Sequence, residues 1–258
     1  MFLADFHIHS KFSDGQMAIP EIVDFYGSRG FGAIAITDHL CELNTFIGTA
    51  ARYLESTLTP AIFPFYIEMM KSEKQRAWDQ YKMILITGVE LSKNNILNSR
   101  SAHILGLGVT DWISADDDVA DIARAIRAQG ALAIAAHPVS TRKIEKQTYH
   151  LWDRREELTP MIDAWEVASG PFLFDEVADS KLPLIANSDL HRPSQIKAWK
   201  TVLDCERHEG AILEAIRKQK ISFKMYEDDI TNYGNNHHRR STLLYRISPI
   251  ITGNLGAA

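Results

Sequence analysis

Apolar and polar positions along this chain follow two rhythms. Short runs rich in Ile, Val, Leu and Ala at residues 3–8, 33–37, 83–87, 102–107, 131–136, 162–167, 184–186 and 201–203 read as strands. Between them lie stretches that read as helices: 20–29 with Pro20 at its start and Gly30 at its stop, 66–81, 116–129 with an acidic first turn and Gly130 beyond, 172–180, and 210–220. Residues 141–160 are charged and helical in part. This alternation predicts an α/β fold built on parallel strands. Residues 43–81 are long, mixed and broken by Pro60 and Pro64, and are the candidate lid or substrate-shaping insertion. The polar, then weakly apolar stretch 227–258 reads as a C-terminal tail. No internal repeat or low-complexity tract interrupts the pattern.

The polar residues that punctuate these strands carry the chemistry. In Asp5-Phe6-His7-Ile8-His9-Ser10 the two histidines are two apart, so a strand projects them from one face, and two imidazoles on a rigid element form half of a metal site. His39, Glu90, His137 and Asp189 each follow an apolar strand, His103 lies near the start of another, and Asp14 and His191 stand close by. In a closed α/β barrel all such strand ends converge on one face. Singly, each has a plainer reading: His103 as a hydrogen-bonded core residue, His137-Pro138 as a turn, Asp189 as a cap. Together they make a donor set of imidazole and carboxylate without thiolate, which suits Zn, Mn or Fe(II). Nine donors exceed what one ion with an open position takes. A bridging carboxylate and paired ions ~3.5–4 Å apart would use them, an arrangement suited to phosphoryl chemistry.

Composition narrows the class. A length of 258 residues, 45% hydrophobic and 24% charged, is that of a globular protein able to bury a sizeable core. The net charge of -5 argues against broad nucleic-acid binding. No apolar run approaches the ~20 residues of a membrane span. Cys41 and Cys205 are too few for a disulfide framework. The first strand starts almost at Met1, where a signal peptide would lie, so a cytoplasmic location is expected.

In order, Asp5-Phe6-His7-Ile8-His9-Ser10, Ser13-Asp14-Gly15, Thr37-Asp38-His39, Gly88-Val89-Glu90, His103-Ile104-Leu105-Gly106, His137-Pro138 and Ser188-Asp189-Leu190-His191 resemble the successive motifs of the PHP (polymerase and histidinol phosphatase) family. The resemblance implies a distorted (β/α)7 TIM-like barrel over residues 1–226, holding up to three divalent ions (Zn, Mn or Fe) at the C-terminal face of its strands. Carried over by motif, His7, His9, Glu90 and Asp189 would bind the first ion. Glu90 would bridge to a second ion held also by His103 and His137, and Asp14, His39 and His191 would bind the third. The implied activity is metal-dependent hydrolysis of a phosphoester by a hydroxide bridging two ions, with Glu90, Asp189 and His191 as the catalytic set. Arg142, Arg192 and Lys11 are the candidate phosphate binders. The substrate would be a small phosphorylated metabolite or nucleotide, with histidinol-phosphate phosphatase and nucleotide or oligonucleotide phosphodiesterase as competing forms. A non-catalytic metal-binding module and an amidohydrolase-like enzyme are the readings from other classes. Asp5 and Asp38 are expected to be structural or to orient a ligand imidazole, and Trp165 to wall the pocket or pack in the core.

Overall fold

In the computed structural model the described residues are 1–45, 49–50, 56–94, 101–139, 149–228 and 251–252. The strands are β1 (Phe2–Asp5), β2 (Ala33–Cys41), β3 (Ile84–Lys93), β4 (Ala102–Leu107), β5 (Leu132–Ala135), β6 (Ala164–Ser169), β7 (Phe172–Leu173), β8 (Leu184–Asn187), β9 (Trp199–Leu203), β10 (Ile221–Met225) and β11 (Ile251–Thr252). The helices are α1 (Ile19–Gly27), α2 (Phe63–Tyr81), α3 (Val119–Ala128), α4 (Tyr149–Asp153), α5 (Arg155–Leu158), α6 (Asp175–Ala178) and α7 (Glu209–Arg217). All strands join one sheet, ordered β11-β10-β9-β1-β2-β3-β4-β5-β6-β7, with β8 paired to β6. The fold is mixed α/β.

Two features depart from an all-parallel arrangement. β4 runs antiparallel to both β3 and β5, and towards the two sheet ends the successive pairings β1–β9, β9–β10 and β10–β11, and β6–β7, are antiparallel. The sheet also curls until the continuation of β8 meets that of β1 in a single parallel bridge, Ile8–Leu190. Side chains support the meeting: Phe6 N–H donates to Asn187 Oδ1 at 2.9 Å, and the Thr201 hydroxyl donates to the Ala186 carbonyl at 2.8 Å. These bonds take the place of ladder bonds that a fully regular barrel would make.

β1 and its continuation show the expected period of two. Phe2, Ala4, Phe6 and Ile8 belong to one buried apolar face. Asp5, His7 and His9 alternate with them, on the other face. The sequence reading placed β2 and β3 correctly but ended them early, at residues 37 and 87. Both continue through Asp38-His39 and Glu90. The helical half of 43–81 packs against β3 and α1. In α2, Phe63, Tyr66, Met70 and Ala77 are buried, and the Tyr66 hydroxyl lies 2.9 and 2.7 Å from the Ile36 and Gly88 carbonyls. That half of the expected lid is a structural helix of the fold. Arg142 and most of the 227–258 tail lie outside the described residues.

Candidate metal centre

Strand register brings the first pair together. His39 on β2 stands directly opposite Glu90 on β3, and their Nδ1 and Oε2 atoms are 2.9 Å apart. Because β4 is antiparallel, its start lies at the same end of the sheet as the ends of β2 and β3. His103 there meets Glu90 Oε1 at 2.9 Å through Nδ1. From β1, His7 Nε2 lies 3.4 Å from Glu90 Oε1 and 3.3 Å from Asp189 Oδ1. His9 Nε2 lies 3.5 Å from Glu90 Oε2 and 3.2 Å from Asp189 Oδ1. His137, just past β5, places Nε2 3.4 Å from Glu90 Oε1. Asp14 Oδ1 is 3.6 Å from His39 Nε2 and 3.3 Å from His191 Nε2. All nine histidines and carboxylates singled out from the sequence therefore converge.

Four groupings have donor atoms mutually within 4.8 Å: His7 with His9 and Glu90; His7 with His137 and Asp189; Glu90 with His103 and His137; and His9 with Asp14, His39 and His191. Depth differs among them. His7, His9 and Glu90 are fully buried, whereas Asp14 is exposed and His39 and His191 partly so. The first three sets form the floor, and the last, apart from buried His9, the rim.

Backbone devices hold the ligands in place. His137 and Asp189 both adopt positive φ, 27° and 52°, a region costly for residues other than glycine and concentrated at functional sites. Asp38 accepts from the Ser10 N–H and from the hydroxyls of Ser10 and Ser13, all at 2.6–2.7 Å, and so fixes the turn that presents Asp14. Gly15 closes this turn; a Cβ there would sit 2.1 Å from the His9 carbonyl oxygen. Asp5 accepts instead from Ser188, Tyr26 and Lys200, and among the described residues neither it nor Asp38 hydrogen-bonds an imidazole. Trp165 is fully buried and packs against Trp152 in the core.

Outer contacts that sequence reasoning missed orient the rings. His39 Nδ1 lies 2.8 Å from Ser92 Oγ, His103 Nε2 3.1 Å from Asn94 Oδ1, and His7 Nδ1 3.0 Å from Glu166 Oε1. Glu166 had a signal, an acid inside the apolar strand 164–168. Ser92 and Asn94 had none, because small polar residues after a strand are common turn formers. Of the candidate phosphate binders, Lys11 is exposed and 3.5 Å from Glu21 on α1. Arg192 is exposed beside His191, and its N–H bonds Gln195.

The electrostatics fit a cation site. Burial opposes ionisation of Glu90, yet His103, His39 and His7 hold its carboxyl well below the usual range. Asp189 is likewise held low against burial, by His7, His9 and His191. Burial and the neighbouring His39 push His9 down to about 3. Burial also works against His137 and His191, but Glu90 and Asp189 raise the first, and Asp14 and Asp189 the second, to about 9. His7 Nε2, both nitrogens of His9 and Glu90 Oε2 are buried without a hydrogen-bond partner. Orphaned polar atoms of this kind cost roughly 1–3 kcal/mol each. Here they face one another, imidazole nitrogen toward carboxylate, leaving a divalent cation as the partner that satisfies them together. The residues present fit such ions.

Residues 5–105 match the PHP domain. That match agrees with the resemblance its motifs indicated, and the matched stretch contains His7, His9, Asp14, His39, Glu90 and His103. His137, Asp189 and His191 lie beyond it and join the same cluster through the fold. No curated protein matches the chain. A two-domain protein of Bacteroides vulgatus, described as containing a PHP-like metal-dependent phosphoesterase, shares the fold with a TM-score of 0.62 at 20% identity. The alignment covers 87% of this chain and 65% of that one, so this chain spans less than two thirds of its length. More distant likenesses are an amidohydrolase of Chromobacterium violaceum with bound sulfate and no metal (TM-score 0.46, 17% identity, 74% of this chain and 88% of that one) and a protein of Bifidobacterium adolescentis named as a metal-dependent phosphoesterase (0.43, 15%, 73% and 87%). No helix among the described residues is long and apolar enough to cross a membrane.

Proposed function

We propose that this chain is a metal-dependent phosphoesterase, hydrolysing a small phosphorylated metabolite or nucleotide at a centre of three divalent ions. The observation that carries this reading is the group of buried, unpartnered imidazole and carboxylate atoms at the heart of the nine-residue cluster. The PHP domain supports it. In this reading His7, His9, Glu90 and Asp189 hold one ion, Glu90, His103 and His137 a second, and Asp14, His39 and His191 a third. The curled sheet is read as the distorted (β/α)7 barrel, with its bridge at Ile8–Leu190 as the closure.

When bound, such ions supply Lewis acidity toward phosphoryl oxygens and lower the pKa of a bound water toward neutrality. The chain's own residues do the rest. The buried carboxylates neutralise part of the ionic charge in a site that excludes water, which strengthens every interaction there. The rim set of Asp14, His39 and His191 is the exposed side, so substrate enters past it, with Arg192 next to His191 as the candidate to meet phosphate. His191 cannot both bind an ion through Nε2 and deliver a proton from that atom. We therefore keep it as a ligand and assign no acid to the leaving group. Zn, Mn and Fe(II) all fit the donor chemistry, and a cytoplasmic location remains part of the proposal.

The test is phosphate and alcohol release from a panel of mono- and diesters, histidinol phosphate and nucleotides included. The protein is loaded separately with Mn, Fe(II) and Zn, and Asp189→Asn serves as control. Metal-dependent turnover that falls more than about a hundredfold in the variant is expected, since direct ligands matter more than their outer partners. Metal bound without turnover of any ester would instead favour a non-catalytic binding module.

A further inference from the structure

We propose that Glu166 is a positioning residue that fixes the tautomer of His7 and the backbone of His137, and so serves two ion sites from one carboxylate. The inference rests on the metal-dependent reading above and deepens it.

Glu166 is fully buried on β6 and is surrounded by donors. Its Oε1 lies 3.0 Å from His7 Nδ1 and accepts from Asn187 Nδ2 at 2.9 Å, and its Oε2 accepts the His137 N–H at 2.7 Å. The orientation of Asn187 is settled independently, because its Oδ1 accepts the Phe6 N–H, one residue before His7. Its amide nitrogen must therefore face Glu166, and the carboxylate meets three groups that can only give, or in the case of His7 will give, a proton. A proton on Nδ1 leaves the Nε2 lone pair of His7 directed at Glu90 Oε1 and Asp189 Oδ1, at 3.4 and 3.3 Å. A lone pair facing two carboxylate oxygens is stable only with a cation between them. This is the outer carboxylate–histidine arrangement that orients a metal ligand.

The second arm acts on the backbone. His137 has φ 27° and precedes Pro138, which restricts it further. Its short bond to Glu166 Oε2 is what holds the peptide there, and with it the ring that reaches Glu90.

Glu166→Gln keeps the volume but offers one acceptor and one donor where three donors converge. Turned one way, its amide meets the His137 N–H donor to donor. Turned the other, it meets Asn187 and His7, and His7 escapes only by moving its proton to Nε2, which removes the lone pair. A carboxylate that merely filled the core would leave the histidine tautomer unmoved.

The experiment reads both effects on the full chain. Long-range 1H–15N correlation spectra, with the His7 signals assigned through His7→Gln, report whether Nδ1 carries a proton in the zinc-loaded and the metal-free protein. Zinc affinities come from chelator competition. We expect an Nδ1–H on His7 in both forms of the wild type. In Glu166→Gln we expect about 10–100-fold weaker binding at the ions held by His7 and His137, with the ion held by Asp14, His39 and His191 retained. An unprotonated Nδ1 in the wild type, or zinc binding in the variant equal to wild type, overturns the proposal. Should the variant fail to fold, the wild-type spectrum decides alone. Should the wild type bind no zinc, the phosphoesterase reading falls, and the metal-free spectrum still judges Glu166.

Discussion

Asp5 and Glu90 are both fully buried carboxylates facing the interior of the same curled sheet, and their surroundings could hardly differ more. Asp5 is saturated: Ser188 N–H, Ser188 Oγ–H, Tyr26 O–H and Lys200 Nζ all donate to it, at 2.6–3.0 Å. Its charge is cancelled by a lysine that is itself fully buried. Glu90, across the interior, is ringed by the imidazoles of His7, His9, His39, His103 and His137, yet its Oε2 finds no hydrogen bond. One cluster is complete within the protein and the other is not. A protein leaves buried polar atoms orphaned where something else is to satisfy them, so incompleteness, more than the mere presence of histidines, separates the candidate metal centre from the structural network two residues below His7.

The sharpest way to break this comparison is Glu90→Gln. If Glu90 bridges, metal analysis should show two ions lost together, and any esterase activity should fall by more than about a hundredfold. The folded protein should survive, and added metal should no longer raise the midpoint of its thermal transition. In the wild type, ions at a hundred times their Kd should stabilise by about 2.7 kcal/mol, a rise of roughly 5–10 °C for a chain of this size. Loss of only one ion would contradict the bridging role.

Lys200→Met should do the reverse. Removing one partner of a buried pair strands the other charge, at a cost of about 3–5 kcal/mol, read by chemical denaturation. Burial lowers the pKa of Lys200 and Asp5 opposes that shift. The folded protein thus binds less proton than the unfolded chain in the window below the ordinary lysine pKa, and the native state gains stability as pH rises through that window. The same variant should flatten this slope. Metal content per folded molecule should stay at the wild-type value. A variant that lost its ions along with its stability would mean that the two clusters are one unit, since Asp5 also grips Ser188, the neighbour of Asp189.

How much of this was legible beforehand follows from the kind of signal each feature leaves. His7 and His9 share a strand face by simple alternation, and apolar runs announced the strands that carry His39, Glu90 and Asp189. The direction of β4 left no mark, because an apolar run reads the same in either direction; His103, a single histidine on an apolar strand, has the plainer reading of a hydrogen-bonded core residue, yet the antiparallel strand brings it to Glu90. Positive φ at His137 and Asp189 is invisible when no glycine flags it. Glu166, Asn187 and Lys200 are single polar residues within or beside apolar strands, and only the fold shows which of them face the histidines and which face Asp5.

An exposed carboxylate sets the scale for both buried ones. Asp118 caps α3, accepting the Ala120 N–H at 2.9 Å, and Arg154 donates to both its oxygens. The Arg154 contact is the chief reason its pKa falls to about 2, with the helix-end N–H adding to it. A carboxylate depressed in the folded state stabilises above its unfolded pKa and loses that contribution as pH falls through the folded value, so this increment should be full above about pH 4 and fade toward pH 2. Solvent screens the ion pair, which leaves the cap as the larger part, and Asp118→Ala should cost about 1 kcal/mol. Metal content and ester turnover should not move at all. If this surface substitution destabilised as much as Lys200→Met, burial would not be what makes the Asp5 pair consequential, and the contrast between saturated and orphaned carboxylates would lose its energetic basis.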